Sequence, residues 1–127
     1  MVLETEGLGS KPFHGRIVLL VNGHTASAAE MAVVFAKENR LATIVGEKTA
    51  GRLLSATSVK VGHGFRLALP TGAYTTWQGL ALEGKPIEPD VLSSFDWKER
   101  REGIDRQLEE AQVILEAQTV PLPSPTI

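Results

Sequence analysis

A serine three residues ahead of a glutamate, in Thr25-Ala26-Ser27-Ala28-Ala29-Glu30, follows the apolar run Ile17-Val18-Leu19-Leu20-Val21 and opens a stretch of helical spacing. A hydroxyl where a buried strand feeds the first turn of a helix stands in the position of a nucleophile. The free first-turn amides and the positive end of the helix dipole face the same point, so an oxyanion forming beside Ser27 would meet donors already in place. That arrangement supports acyl transfer. The same spacing, S-x-x-E, is also a capping box, in which each side chain satisfies the other residue's free backbone N–H. On these six residues alone both readings are open, and caps are the commoner of the two.

The other reactive side chains narrow the chemistry. The chain has no cysteine, which excludes disulfides, thiolate zinc sites and a cysteine nucleophile. The three histidines, His14, His24 and His63, are too scattered to form a metal cluster, and no cofactor is expected. His63, in Gly62-His63-Gly64, reads as a turn residue, whereas His24 lies three positions before Ser27 and could line a cleft. With 127 residues, 43% hydrophobic and 22% charged, the chain is expected to bury one ordinary core. A net charge of −2 argues against nucleic acid or an anionic membrane as the main partner, since both need a concentrated basic surface. The dense run Lys98-Glu99-Arg100-Arg101-Glu102 mixes both signs and reads as a solvated helix face. No stretch has the length of a membrane span, so membrane insertion is not expected, and no basic-then-apolar leader pattern is visible.

These residues need elements to hold them. Residues 1–14 read as a loop or an artificial lead, with order beginning near Gly15. The unbroken apolar run 17–21 fits a strand covered on both faces, and Met31, Val34 and Phe35 recur at helical spacing over 28–39. Leu41-Ala42-Thr43-Ile44-Val45 is a second strand stopped by Gly46, so the three elements form a βαβ unit. Residues 47–52 read as a loop. Residues 58–61 and 65–69 alternate about Gly62-His63-Gly64 as an antiparallel hairpin. Tyr74-Thr75-Thr76-Trp77 is expected to be a further strand. A helix over 97–117 follows, its stripe of Ile104, Leu108, Ala111 and Leu115 docking on the sheet. The proline-rich end, 118–127, reads as a flexible tail.

In this order the segments resemble the C-terminal processing peptidases, or tail-specific proteases, serine peptidases with a crotonase-like (ClpP/crotonase) α/β fold. The resemblance rests on the apolar run with Asn22, on Thr25-Ala26-Ser27-Ala28-Ala29-Glu30, on Arg40-Leu41-Ala42-Thr43-Ile44-Val45-Gly46-Glu47-Lys48-Thr49-Ala50-Gly51, and on Gly84-Lys85-Pro86-Ile87-Glu88-Pro89-Asp90. It covers about residues 15–92, and each motif alone is weak. It implies that Ser27 is the nucleophile and that the Ala28 amide contributes to an oxyanion hole.

For the base the match fails. Where the Ser–Lys branch of the family carries a lysine, this chain reads Ala50-Gly51-Arg52, and an arginine stays protonated and cannot accept the serine proton. Lys48 precedes that position and reads as a surface or supporting residue. The chain is nearer the branch that resembles the tricorn protease and the interphotoreceptor retinoid-binding repeats, with a Ser–His–Glu arrangement. There Glu83 occupies the site of the acid that orients an imidazole. An ordinary loop carboxylate is the competing reading of Glu83. The histidine of that branch comes from well upstream, a place that neither His14 nor the residues before it fill.

The expectation is therefore a partial domain. Residues 15–117 would be the C-terminal part of a serine peptidase catalytic domain, with a βαβ core, an antiparallel hairpin and a C-terminal helix. The intact protein would hydrolyse peptide or protein substrates; the piece alone would be inactive. Sheet edges left open would favour a homo-oligomer, and family members are commonly exported to the bacterial envelope. One rival is a non-catalytic ligand- or peptide-binding domain of the same fold, with Arg52, Leu53, Leu54 and Trp77 lining a cleft. A crotonase-type acyl-thioester enzyme is another, disfavoured by the serine segment.

Overall fold

A computed structural model describes residues 13–117. The expectations for 1–12 and 118–127 lie outside the described residues. The chain forms strand β1 (Val18–Val21), helix α1 (Ala28–Glu38) and strand β2 (Thr43–Gly46), then the long strands β3 (Leu54–Gly62) and β4 (Phe65–Ala73). A short strand β5 (Val91–Leu92) and helices α2 (Trp97–Arg101) and α3 (Arg106–Ala117) complete it.

The βαβ unit is present as read. β1 pairs parallel with β2, from Val18 opposite Thr43 to Val21 opposite Gly46, and β5 adds parallel to the other side of β2. α1 packs on this sheet through Val33, which joins Val21 and Ile44 in one core cluster. A second cluster of Val34, Leu53 and Leu82 ties the same helix to the segments beyond it. α1 ends in a Schellman turn: the Leu41 N–H donates to the Ala36 carbonyl at 2.8 Å and the Arg40 N–H to Lys37 at 3.2 Å. Arg40 stands there at φ 54, where glycine is usual. Gly46 ends β2 under tighter constraint. At φ +130 a Cβ on it would lie 2.0 Å from the Val21 carbonyl oxygen, so no side chain fits.

Two expectations are corrected, and one element is added. The proposed strand at residues 74–77 is a turn instead, with only an isolated bridge between Thr75 and Ala81. The Gly79 N–H donates to the Thr76 carbonyl at 2.9 Å, which curls the segment before a ladder can extend. The proposed single helix over 97–117 is two. Gly103, at φ +84, closes α2 in a second Schellman turn, and the Asp105 side chain accepts the Leu108 N–H at 3.2 Å to start α3. Ile104 therefore leaves the stripe, while Ala111 is buried where α3 packs on β1 and β2. The added element is β5, which no pattern announced. The hairpin is where it was expected and longer, all of it exposed except the half-buried Ser55.

Candidate active site

Ser27 is the last residue before α1, and its backbone is held from the opposite side by the loop after β2. Its N–H donates to the Arg52 carbonyl at 2.9 Å, and the Ala50 N–H donates to the Thr25 carbonyl at 2.9 Å. The approach to it is tied as well. Asn22 and Thr25 exchange bonds, the Asn22 N–H to Thr25 Oγ1 at 3.1 Å and the Thr25 N–H to the Asn22 carbonyl at 2.9 Å. Between them Ser27 is left at φ 57, ψ −129, a sparsely populated conformation for a residue with a side chain. Such strain costs on the order of 1–3 kcal/mol and persists only where the surroundings impose it.

The capping box does not form. Ser27 makes no side-chain cap bond, and Glu30 turns away from it into the interior. Glu30 is 2% exposed, and its carboxylate accepts three bonds: from Thr49 Oγ1 at 2.5 Å, from the Gly51 N–H at 2.7 Å and from the Arg52 N–H at 2.9 Å. A buried carboxylate is tolerable only when paired or hydrogen-bonded, and here the loop 49–52 supplies the donors. The bonds therefore run in a closed circuit: Glu30 grips Arg52 by its N–H, and Arg52 grips Ser27 by its carbonyl. Thr49 extends it, accepting the Ile87 N–H at 2.8 Å. The pattern S-x-x-E pointed to a local bond and hid this long-range one.

Glu83 joins the same loop from the other side. Its Oε2 accepts the Leu53 N–H at 2.6 Å, and the following Gly84 N–H donates to the Gly51 carbonyl at 2.9 Å. Gly51 packs so closely under this segment that a Cβ would stand 2.8 Å from the Pro86 nitrogen, at φ +67. Glu83 Oε1 has no partner among the described residues. The Ala28 N–H likewise has no acceptor among them, as expected of a first-turn amide.

The remaining candidates separate. His24 is exposed in the loop before Ser27, its backbone N–H bonded to Asn22 Oδ1 at 2.9 Å. His14 is exposed ahead of β1, and His63 sits at φ 49 in the hairpin turn. Lys48 Nζ pairs with Glu88 Oε1 at 2.6 Å on the surface, as its reading as a surface residue anticipated. Arg52 is exposed, and among the described residues its hydrogen bonds are made by its main chain. Leu53 is a core residue, not a cleft residue, being 2% exposed. Among the described residues no group of three or more His, Cys, Asp or Glu could hold a metal ion. No helix among them is long and apolar enough to cross a membrane.

The mixed α/β architecture is one that the chain shares with solved proteases. Residues 3–93 match the model of peptidase family S41, and the chain belongs to that family. It is 32% identical over 97 residues to the carboxy-terminal-processing protease of Bartonella bacilliformis, covering 76% of this chain and 22% of that protein. The chain thus spans about a fifth of that relative's length. The photosystem II D1 C-terminal processing protease superposes with a TM-score of 0.57 at 29% identity, covering 84% of this chain and 26% of that one. The tricorn protease superposes with a TM-score of 0.73 over 81% of this chain and 10% of its own; at 23% identity it shows the fold alone.

Proposed function

We propose that this chain is the portion of a serine peptidase catalytic domain that carries the nucleophile, Ser27, within a crotonase-like fold. The observation that carries the reading is the state of Ser27: exposed, strained at φ 57, with its hydroxyl unused by any cap and the free Ala28 N–H beside it. A serine kept only for capping has no reason to bear this strain. Ser27 Oγ attacks the scissile carbonyl carbon while a base outside the described residues takes its proton. The Ala28 N–H, with a second donor, holds the oxyanion. The C–N bond then breaks, the amine leaving with that proton, and water hydrolyses the acyl-enzyme.

Glu83, anchored through Oε2 on Leu53, has Oε1 left to orient the imidazole of that base. Arg52 occupies the place of the Ser–Lys branch's lysine and cannot act as base. In this reading His24, exposed three residues before Ser27, and the exposed Arg52, whose carbonyl accepts the Ser27 N–H, would border the substrate. The base comes from the part of the relatives' length that this chain does not span, so the chain alone does not turn over substrate. Peptide or protein substrates, self-association through open sheet edges and an exported, cell-envelope location belong to the same proposal.

Fluorophosphonate labelling of the full-length parent, with the modified residue located by mass spectrometry, tests it. Labelling at Ser27 that vanishes in Ser27→Ala, with the urea midpoint of the variant unchanged, is the expected result. A folded parent that does not label would favour the binding-domain reading.

A further inference from the structure

α1 carries a second feature on the stripe that begins at Ser27. Met31, whose N–H donates to the Ser27 carbonyl at 3.3 Å, lies one turn on, and Phe35 one turn further. Opposite them the segment 74–82 curls into a turn that presents Trp77, 93% exposed, at its tip. Met31, Val34, Phe35, Tyr74, Trp77 and Leu82 line a cleft of about 380 Å3 between helix and turn. The Phe35 side chain, the one large apolar group on a side of the helix where Ala28 and Ala32 are also exposed, is 59% exposed there. Large aromatic surface left bare on both walls of one cleft marks a binding surface more than a solvated one.

The shape selects the occupant. The cleft continues into a second of about 400 Å3 that shares Val34, Glu38 and Leu82 and runs on past Leu80 and Pro86. A long groove suits an extended chain with a side chain set into it better than a compact ligand. Its distance from Ser27 gives the register. At about 1.5 Å rise per residue, Met31 and Phe35 lie roughly 6 and 12 Å along the helix from Ser27. An extended peptide covers about 3.3 Å per residue.

We propose that this cleft is an apolar subsite that takes an aromatic or large aliphatic side chain of a peptide substrate, about two to four residues from the bond attacked by Ser27. It rests on the reading of Ser27 as nucleophile. Trp77 reports its occupancy, since Trp97 is the only other indole.

In a Trp97→Phe background, capped hexapeptides bearing Phe or Leu at one position, and matched peptides bearing Asp there, are titrated into the chain. The expected result is a saturable blue shift of Trp77 emission that the Asp-bearing peptides do not produce, with affinity weakened about three- to tenfold by Phe35→Ala. In the full-length parent, Phe35→Ala and Trp77→Ala raise KM for such peptides while the rate of fluorophosphonate labelling at Ser27 stays unchanged. Emission indifferent to every peptide, or Trp77 in the parent already blue-shifted and insensitive to them, would overturn the subsite. A folded, unsubstituted parent that does not label at Ser27, with the peptide-dependent shift retained, would overturn the nucleophile and leave the cleft as a binding site.

Discussion

The loop 49–53 and the β3–β4 ribbon are neighbours in sequence and opposites in construction. The loop has no regular secondary structure, yet Thr49, Gly51 and Leu53 are buried, and its amides and carbonyls are gripped by Glu30, Ser27, Glu83 and Gly84. The ribbon is a regular antiparallel ladder nine residues long on each strand, yet almost wholly exposed. Val59, Val61, Phe65, Leu67 and Leu69 share one of its faces, paired across the ladder as Val59–Leu67 and Thr57–Leu69. A two-stranded ribbon is marginal by itself. Regularity of backbone is thus no guide to burial here: the irregular loop holds the candidate chemistry because side chains fix it, and the ladder rests on its own cross-strand pairing.

Removing the loop's anchor should have the largest effect. Glu30→Ala leaves the Gly51 and Arg52 N–H groups and the buried Thr49 hydroxyl without their acceptor, and should cost about 3 kcal/mol or more. The urea midpoint measures it. Because Arg52 passes the constraint to Ser27, labelling in the parent should fall with it. Unchanged stability would mean that water replaces the carboxylate and that the circuit does not hold the loop.

The glycines offer a matched pair across the two regions. Gly51 and Gly64 both have positive φ, +67 and +80, but a Cβ on Gly51 would meet the Pro86 nitrogen at 2.8 Å, whereas on Gly64 it meets nothing within 4 Å. Gly64→Ala should therefore cost only the left-handed backbone term, about 1 kcal/mol, and Gly51→Ala that term plus displacement of Pro86, about 2 kcal/mol or more. Equal losses would mean that the segment 84–86 yields freely.

What the amino-acid sequence disclosed follows the same division. β1, α1 and β2 were legible because an apolar run and a 3.6-residue period are local signals, and the hairpin because glycines flank His63. Glu30 was visible as a residue but not in its role, since its partners lie 19 to 22 positions away and S-x-x-E has a nearer interpretation. α2 and α3 were fused because Ile104 fits the helical stripe by spacing. Gly103 followed by Asp105, a stop and then a cap, was the signal against it. β5 is two residues long and pairs with β2 beside the bond from the Asp90 N–H to the Ile44 carbonyl, too short for any period to register.

A smaller effect is expected at the lower end of that sheet. Burial, the largest influence on Asp90, would raise its pKa. The hydrogen bond from Lys37 at 2.8 Å, the Ile44 N–H at 2.9 Å and the Lys37 charge together outweigh it and hold the carboxyl below its ordinary value. The folded chain therefore takes up this proton less readily than the unfolded one. The resulting stability is present above the ordinary carboxylate range and is lost as pH falls through the depressed folded value. Both side chains of the pair are more than a third exposed or close to it, so the contribution should be under about 1 kcal/mol. Urea midpoints at neutral and acid pH, for the parent sequence and for Asp90→Asn, measure it. An acid loss of the same size in Asp90→Asn would assign the effect to other groups.

The ribbon should show the smallest effect on stability and a separate one on association. Val61 and Phe65 lie near its turn, 54% and 71% exposed, so folding of the chain buries less than half of either. Val61→Thr with Phe65→Thr should therefore shift the urea midpoint by no more than about 0.5 kcal/mol. The same pair removes apolar surface from the face that a second copy would cover, and sedimentation should show less self-association at equal concentration. A large loss of stability instead would mean that the ribbon's apolar face is already packed within the chain. The distinction between a loop held by its own side chains and a ladder waiting for a partner would then fall.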